Sequence, residues 1–358
     1  MTGFKANFLA KQLPSNIKSP PSKITKSPPP ASRQTNVTCL LALLVAAPPS
    51  YTIQLFEDIF PVAVDASGRV VGDTGTWDGK EVKALPKHDL AEGANEDGAI
   101  VGGSIVGQPW KLKDGVVTVL PMLPGHKVGW AHWVNASGVI VGGTGVHVGS
   151  DVPDDCEAVA WTDGVPKSLG LLPGDASSDA SGINDKGWIV GYSHGVTWRP
   201  FLYRDDKMTE LPTPKGFSAA GAFRINDRGV IVGWCRNRFQ QACTWIDGRP
   251  NLLGILPGQD LSEAKAINSE GDIVGKSGPV VPSAGDGGIP KQFYASHAVL
   301  WTHGQMIDLT EIVKKIRLDV SAYDAVAIND KGQIVGSARV KWKSYCYILT
   351  PAVEDARR

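Results

Sequence analysis

The nine residues INDKGQIVG, from Ile328 to Gly336, have the pattern of a β-hairpin. Asn329 can hydrogen-bond its own backbone within a turn, and Gly332 can adopt a positive φ without steric cost. The β-branched pair Ile-Val then resumes an extended strand. Gly336 closes the segment, and we expect another backbone to pass close to it. The stretch therefore predicts a tight antiparallel hairpin with a connection of about three or four residues.

The same segment occurs seven times in the chain. The other copies are VDASGRVVG at Val64, ANEDGAIVG at Ala94, VNASGVIVG at Val134, INDKGWIVG at Ile183, INDRGVIVG at Ile225 and INSEGDIVG at Ile267. Successive closing glycines are 30, 40, 49, 42, 42 and 61 residues apart. Spacing of this size is typical of a repeat fold, so we interpret residues 51–358 as one repeat domain.

Two more strand-like stretches follow most copies. AVAWTDG (Ala158–Gly164), ACTWIDG (Ala242–Gly248) and AVLWTHG (Ala298–Gly304) predict a third strand that ends at a Trp and a turn, and VPKSLGLLPG (Val165–Gly174) predicts a fourth. Four strands in about 42 residues match one blade of a β-propeller. A parallel β-helix would have shorter coils without hairpins, so it is the weaker alternative.

A small residue also recurs at a fixed place. An alanine stands four residues before the Asn in six of the seven units, at Ala91, Ala131, Ala180, Ala222, Ala264 and Ala325. A position that stays small in this way predicts close packing between neighbouring sheets.

The two ends of the repeat region complement each other. After Gly336 only one further strand follows, SYCYILTP (Ser344–Pro351), so the last unit lacks its fourth strand. YTIQLF (Tyr51–Phe56) precedes the first copy and can supply that strand, which would remove the exposed edges. We therefore predict an all-β fold, a seven-bladed β-propeller of four-stranded antiparallel blades, closed by an N-terminal strand that completes the last blade.

Two neighbouring stretches give the sequence a family resemblance. SHAVLWTHGQMIDL (Ser296–Leu309), followed by AVAINDKGQIVGSA (Ala325–Ala338), resembles the HAF-repeat family, the probable extracellular repeat proteins of bacteria. The likeness covers roughly residues 51–351, and the HAF triplet survives only loosely, as His297, Ala298 and Val299. The resemblance implies an exported, propeller-like repeat protein without an assigned activity, and it supplies no catalytic residues.

The first fifty residues differ from the rest. Residues 1–36 are rich in Lys, Ser and Pro and have too little apolar content to fold, so we expect disorder. VTCLLALLVAA (Val37–Ala47) is too short to span a bilayer and matches the apolar part of a secretory signal. The long basic lead-in and Pro48 fit a signal poorly, so a misplaced start, a short anchor or a disordered tail are the alternatives. We predict an exported protein, extracellular or periplasmic, without a stable membrane span.

Charge and motifs exclude several classes of function. Residues 1–50 hold six basic residues and no acidic one, so the remaining 30 basic and 36 acidic residues give residues 51–358 a net charge of −6. A body that repels phosphates predicts no nucleic-acid partner. No HExxH, CxxC, P-loop or dinucleotide motif occurs, so we expect no cofactor and no metal site. Cys235 and Cys243 flank the hairpin between strands two and three of the fifth unit and can form a disulfide after export.

Loop lengths divide the predicted propeller into two faces. The connections between strands one and two and between strands three and four are short; we call their side the turn face. The other connections lie on what we call the loop face, with long insertions at Gly143–Glu157 and Ser277–Ser296. The link Leu309–Asp324 on this face is long enough for a helical turn. Because variable loops on a rigid scaffold usually carry binding, we predict that the loop face is functional, the alternative being merely tolerated length.

The first strands of the blades supply candidate ligand-binding residues near the central channel. Five residues before the Asn stand Trp130, Asp179, Glu263 and Asp324, and His132 and Trp133 lie beside the first of them. The segment GWAHWVN could form an aromatic platform for a ligand, although packing of these aromatics between blades is the stronger interpretation.

Three functional hypotheses remain. The favoured one is a monomeric, non-catalytic scaffold that binds a protein, a glycan or a cell-surface component through its loop face. The second is an extracellular hydrolase or lyase with acidic residues at the channel mouth, which a convergent cluster of Asp, Glu, His or Arg would favour. The third is a largely structural envelope protein.

Overall fold

The computed structural model describes residues 49–86, 90–103, 107–146, 155–280 and 296–352, which form seven four-stranded antiparallel sheets. Blades one to three are β2–β5 (Pro61–Val64, Val70–Gly72, Gly75–Trp77, Val82–Ala84), β6–β9 (Ala91–Ala94, Ile100–Gly102, Trp110–Lys113, Val116–Val119) and β10–β13 (Val128–Val134, Ile140–Gly145, Glu157–Thr162, Val165–Gly170). Blades four and five are β14–β17 (Ser177–Ile183, Ile189–His194, Trp198–Arg204, Lys207–Glu210) and β18–β21 (Ala219–Ile225, Ile231–Arg236, Gln240–Ile246, Arg249–Gly254). Blade six is β22–β25 (Leu261–Ile267, Ile273–Gly278, His297–Thr302, Gln305–Asp308), and blade seven combines β26–β28 (Val320–Ile328, Ile334–Val340, Lys343–Pro351) with β1 (Tyr51–Phe56).

The ring closes as the sequence predicts. Strand β1 pairs antiparallel with β28 along its whole length, from Tyr51 opposite Pro351 to Phe56 opposite Cys346. The first strand of the domain thus becomes the outermost strand of the last blade. The prediction of a seven-bladed propeller sealed by this pairing is confirmed.

The first strand of every blade carries a β-bulge at the same place. In blade four the register shifts between Ala180 and Gly182, so that Ser181 has no partner on β15. The equivalent unpaired residues in the other blades are Val62, Glu92, His132, Phe223, Lys265 and Val326. A bulge bends the strand and re-aims a side chain.

The closing glycine of the repeat lies against this strand. A Cβ atom at Gly191 would stand 2.0 Å from the carbonyl oxygen of Asp179, far inside van der Waals contact. The closing glycines of blades two, three, five, six and seven would meet the equivalent carbonyl at 1.9–2.1 Å. The predicted close approach of another backbone is therefore present, and it explains why the repeat ends in glycine.

Neighbouring blades pack through the recurring alanines and tryptophans. All six repeated alanines are buried, and five of them have no solvent exposure. The strand-three tryptophans of blades three, five and six are also buried, and their indole N–H groups donate across to the preceding blade: Trp161 to Pro121 O at 2.7 Å, Trp245 to Pro212 O at 2.8 Å and Trp301 to Leu253 O at 3.0 Å. Each such Trp fills the space between two sheets while its polar atom remains hydrogen-bonded.

Two local features complete the fold. A disulfide joins Cys235 to Cys243 across β19 and β20, which are the two cysteines that the sequence pairs. The link from blade six to blade seven contains the predicted helical segment, α1 (Leu309–Ile316), which Asp308 caps by accepting hydrogen bonds from the N–H groups of Thr310 and Glu311. Within the described part of the chain, no helix has the length and apolar character needed to cross a bilayer.

Candidate functional site

The repeated asparagines form a ring of hydrogen bonds around the turn-face mouth of the channel. Within blade four, Asn184 Oδ1 accepts from the N–H groups of Lys186 and Trp188, which holds the turn. Its Nδ2 then donates to the backbone oxygen of Asn226 in blade five, at 3.0 Å. The same inter-blade bond runs from Asn95 to Asn135, Asn135 to Asn184, Asn226 to Asn268, Asn268 to Asn329 and Asn329 to Asp65.

One of the seven positions in this ring differs. Asp65 replaces the asparagine in blade one and has no amide N–H to donate toward blade two. Its carboxylate instead accepts from Ser67 and from the Arg69 side chain, at 2.9 Å. The ring therefore has six links made by side-chain amides among the described residues.

The residue after each asparagine forms the rim of the same mouth. Asp185, Asp227 and Asp330 accept hydrogen bonds from backbone N–H groups of the preceding blade, at 2.8–2.9 Å. Glu96 faces this acidic rim, and both its burial and the charges of Asp330 and Asp185 raise its pKa above the ordinary value. The rim borders a cavity of about 200 Å³.

A second cavity, of about 390 Å³, lies further along the channel, and we call it the channel chamber. Its walls come from six of the seven blades: Val62, Ala91, Glu92, Trp133, Phe223, Arg224, Glu263, Lys265, Ala266, Val326 and Ala327. Five of these residues are the bulged ones (Val62, Glu92, Phe223, Lys265 and Val326). The bulge of each first strand therefore determines which side chain faces the chamber.

His132 joins two carboxylates beside the chamber. Its Nδ1 pairs with Glu92 of blade two, and its Nε2 lies 2.9 Å from Asp179 Oδ2 of blade four. Asp179 is buried and also accepts from Trp130 Nε1 and from Tyr192 OH, at 3.0–3.2 Å. Burial alone would lower the pKa of His132, but the charges of Asp179 and Glu92 outweigh it and raise the pKa to about 10. The ring is therefore an imidazolium at neutral pH, donating from both nitrogens.

The opposite side of the channel holds two further ion pairs. Glu263 pairs with Lys276 at 3.2 Å, and Lys265 pairs with Asp324 at 2.5 Å. Burial opposes the charge of Glu263, yet Lys276 and Lys265 lower its pKa below the ordinary value. In the same way, Asp324 and Glu263 raise the pKa of Lys265 against the effect of burial. Glu263 and Lys265 are consequently charged at neutral pH.

Arg224 lies where the two cavities meet, because it lines both of them. Its NH1 donates to the backbone oxygens of Ser181 and Phe223, at 2.5 and 2.9 Å. The guanidinium carbon stands 4.1 Å from the centre of the Trp133 ring, a cation–π arrangement. Burial lowers the pKa of Arg224 to about 10, which leaves it charged at neutral pH.

The structure places the six sequence-predicted residues in two groups, and of these residues only Trp133 and Glu263 line the channel chamber. Trp130, His132 and Asp179 are hydrogen-bonded together, and Glu263 lines the chamber with Trp133, while Asp324 reaches it through Lys265. Trp130 is buried, whereas Trp133 lines the chamber and has Arg224 over its ring. Glu92, Arg224, Lys265 and Lys276 were missed. Three of them occupy the second or third place before the repeated Asn or Asp, a signal present in the sequence.

The long insertions of the loop face fall mainly on residues 147–154 and 281–295, which lie outside the described residues, as does the leader 1–48. The described part of this face nevertheless has a distinct surface. Nine of the fifteen exposed large apolar side chains lie on its connections: Phe60, Leu90, Leu171, Val196, Phe239, Val280, Ile316, Leu318 and Trp342.

One cluster of potential metal ligands occurs among the described residues, outside the channel. His297, Asp308 and Glu311 place one ligand atom each within 4.8 Å of one another. However, His297 Nδ1 already bonds Asp308 Oδ2 at 2.7 Å, and blades three and four have comparable polar pairs between strands three and four, Glu157 with Ser168 and Arg199 with Glu210. The repetition indicates a cross-strand contact of the blade and not a dedicated metal centre.

Comparisons with known proteins support the fold alone. No protein-family model matches the chain, so the resemblance to HAF repeats stays a prediction. No curated protein sequence matches it either. Among solved structures, an oligogalacturonate lyase in complex with manganese is 12% identical, covers 85% of this chain and 92% of its own, and superposes with a TM-score of 0.50. A gluconolactonase from Xanthomonas campestris (11% identity, 86% and 96% coverage, TM-score 0.44) and a Trypanosoma rangeli sialidase (12%, 85% and 60%, 0.44) are similar to a lesser degree.

Proposed function

We propose that this protein is a non-catalytic, exported binding scaffold that holds a protein, a glycan or another surface component against its loop face. The supporting observation is the placement of exposed apolar side chains. Among the described residues, Val196, Leu318 and Trp342 are the most exposed large apolar side chains, the last at 89%, and all three lie on loop-face connections. Exposed apolar groups gathered on one face are typical of interaction sites.

Two of these side chains lie close together on blade seven. Val320 pairs with Val340 at the end of the sheet, so Leu318 and Trp342 both extend beyond the same end of β26 and β27. Ile316, at the end of α1, is exposed just before them in the chain. Arg339 lies over the Trp342 ring. The combination of an exposed Trp with a neighbouring Arg is common where proteins bind partners.

A convergent set of Asp, Glu, His and Arg around the channel is the observation that favours the alternative, an extracellular hydrolase or lyase. However, these groups form ion pairs and hydrogen bonds with one another, which favours the non-catalytic scaffold. General acid–base catalysis needs a group whose pKa lies near the working pH. His132 is instead held as an imidazolium, and Asp179, Glu263 and Asp324 each bind a cationic neighbour. We therefore prefer the non-catalytic function.

The loop-face proposal can be tested with the full chain on arrays of glycans and of surface and secreted proteins. We expect saturable binding that falls about tenfold or more in the double variant Leu318→Ser, Trp342→Ser, because exposed aromatic anchors carry much of an interface's energy. The matched control is Val165→Ser, Ile246→Ser, two exposed apolar positions at the turn-face ends of their strands. If the control variant loses binding as strongly, or if only the control does, the loop face is not the binding surface.

The same glycans test the alternative. Incubation with the wild-type chain should leave them intact when products are separated and quantified. Cleavage by the wild type that disappears in Glu263→Gln or His132→Gln would establish the enzyme and overturn the scaffold proposal.

Export rests on the apolar run Val37–Ala47 and on the resemblance to HAF repeats. N-terminal sequencing of protein recovered from outside the cytoplasm tests it. We expect a new N-terminus near residue 47. Recovery of the chain only inside the cell would contradict export.

A further inference from the structure

Arg224 differs from the other cations of the channel because, among the described residues, no carboxylate forms an ion pair or hydrogen bond with it, although the charge of Glu92 is near enough to act on it. Lys265 pairs with Asp324, Lys276 with Glu263, and His132 with two carboxylates. Arg224 donates only from NH1, and only to backbone carbonyls. Its Nε and its second terminal nitrogen make no hydrogen bond to the described residues, and Arg224 lines both cavities.

The guanidinium is nevertheless fixed in position. The two carbonyl contacts hold one end of its plane, and the Trp133 ring lies 4.1 Å from the guanidinium carbon. Trp133 is fixed in turn, because a Cβ atom on Gly93 of blade two would come within 2.8 Å of its ring. Because the planar guanidinium is held in this way, it loses little conformational freedom when it binds a carboxylate through two parallel hydrogen bonds.

The remaining walls of the channel chamber define the rest of the ligand. Val62 and Val326, from blades one and seven, are apolar, whereas Glu92 and Glu263 present carboxylates from blades two and six. Glu92 is ion-paired with His132 and Glu263 with Lys276, and each carboxylate retains lone pairs for further donors. Hydroxyl groups of a ligand could donate to them, and Lys265 adds a second cation to the chamber wall.

We propose that the channel chamber binds a small hydroxylated monocarboxylate, of the class of the sugar acids, with its carboxylate on Arg224 and its hydroxyl groups toward Glu92 and Glu263. The chamber volume of about 390 Å³ is in the range of small-molecule sites. This site is separate from the loop face, and the two proposals can fail independently.

Isothermal titration of the full chain tests the site, with glucuronate, galacturonate and gluconate as probes. The neutral sugars glucose and galactose and inorganic phosphate serve as comparison ligands. We expect at least one sugar acid to bind saturably and about 10- to 100-fold more tightly than the neutral sugar, as charge-assisted bidentate hydrogen bonds predict. Absence of saturable binding by every acid, or equal binding of phosphate, would overturn the proposal.

Three variants assign the binding to Arg224. Arg224→Gln should abolish the preference for the acid, and Arg224→Lys should restore only part of it, because an ammonium keeps the charge without the fork. The matched control is Arg204→Gln, since Arg204 also lies over a tryptophan, at 5.1 Å from Trp188, but is exposed and outside the chamber. Thermal unfolding of each variant shows whether it is folded. Acid binding that survives Arg224→Gln in a folded protein would place the ligand elsewhere.

Discussion

The repeated asparagine has two roles, and only one of them is local. Its Oδ1 holds the turn within a blade, as the sequence predicts, while its Nδ2 bonds the carbonyl of the next blade. A serine, threonine or aspartate could supply the first contact, but only an amide supplies both. The need for a donor to the next blade explains why Asn occupies six of the seven positions. The sequence does not predict this contact, because it joins residues of two different blades in the closed ring.

Replacing Asn184 by Asp isolates the inter-blade contact. The acceptor contacts to Lys186 and Trp188 can persist, but the donor to Asn226 O disappears and a carboxylate oxygen faces that carbonyl instead. We expect Asn184→Asp to lower the free energy of unfolding by about 2 kcal/mol, the usual cost of leaving a buried polar group without its partner. Urea denaturation of the full chain measures it.

Asn251→Asp provides the control for that measurement. Asn251 is exposed, and its Nδ2 bonds only the nearby Arg249 O. Its replacement should change the free energy of unfolding by less than about 0.5 kcal/mol. Equal losses in the two variants would mean that the ring of asparagines does not hold the blades together.

At the scale of strands, the sequence predicts the structural features that depend on residues close together in the chain. The hairpin, the third strand ending at Trp, the helical turn in the last link and the completion of blade seven all follow from turn residues, apolar runs and segment lengths. The bulge does not, because it is a property of the register between two strands. The alternation of side chains along a strand therefore did not predict that Glu92 and Lys265 would face the channel chamber, although both stand three residues before the repeated Asn.

Strand β1 should be indispensable to the propeller. It covers the outer edge of β28 with six residue pairs, and Ile53 and Leu55 pack against the core of blade seven. We expect a chain lacking residues 1–56 to lose cooperative unfolding and to aggregate, since an uncovered edge pairs with other chains. A chain lacking only residues 1–48 is the matched control and should unfold as the full chain does. Calorimetry and light scattering compare them, and a cooperative, monomeric 57–358 fragment would contradict the closure by pairing.

At the scale of the whole molecule, the channel network exists only when the ring is closed. His132 belongs to blade three, Glu92 to blade two and Asp179 to blade four, and each residue would be solvated separately in an unfolded chain. The pKa of His132 therefore reports on the folded ring. Its value of about 10, against an ordinary 6.5, links the stability of the propeller to pH.

The sign of this linkage follows from which state binds the proton. Between pH 6.5 and pH 10 the folded protein keeps the imidazolium proton and the unfolded chain releases it. The stabilisation by His132 is thus complete below pH 6.5 and is lost as the pH rises toward 10. The loss amounts to at most about 1.4 kcal/mol per pH unit. The pKa of Tyr192, which burial and then Asp179 raise well above its usual value, keeps that hydroxyl neutral over the same interval.

Denaturation of the full chain at intervals from pH 6.5 to 10 should show this decline in the wild type. His132→Gln should be less stable near pH 6.5, because Glu92 and Asp179 lose their cation, but its stability should decline less steeply, so that the two proteins converge toward pH 10. His303→Gln is the control, since His303 is exposed and contacts only Thr302 among the described residues, and it should follow the wild-type slope. If wild type and His132→Gln decline in parallel, the imidazolium is not what couples the closed ring to pH.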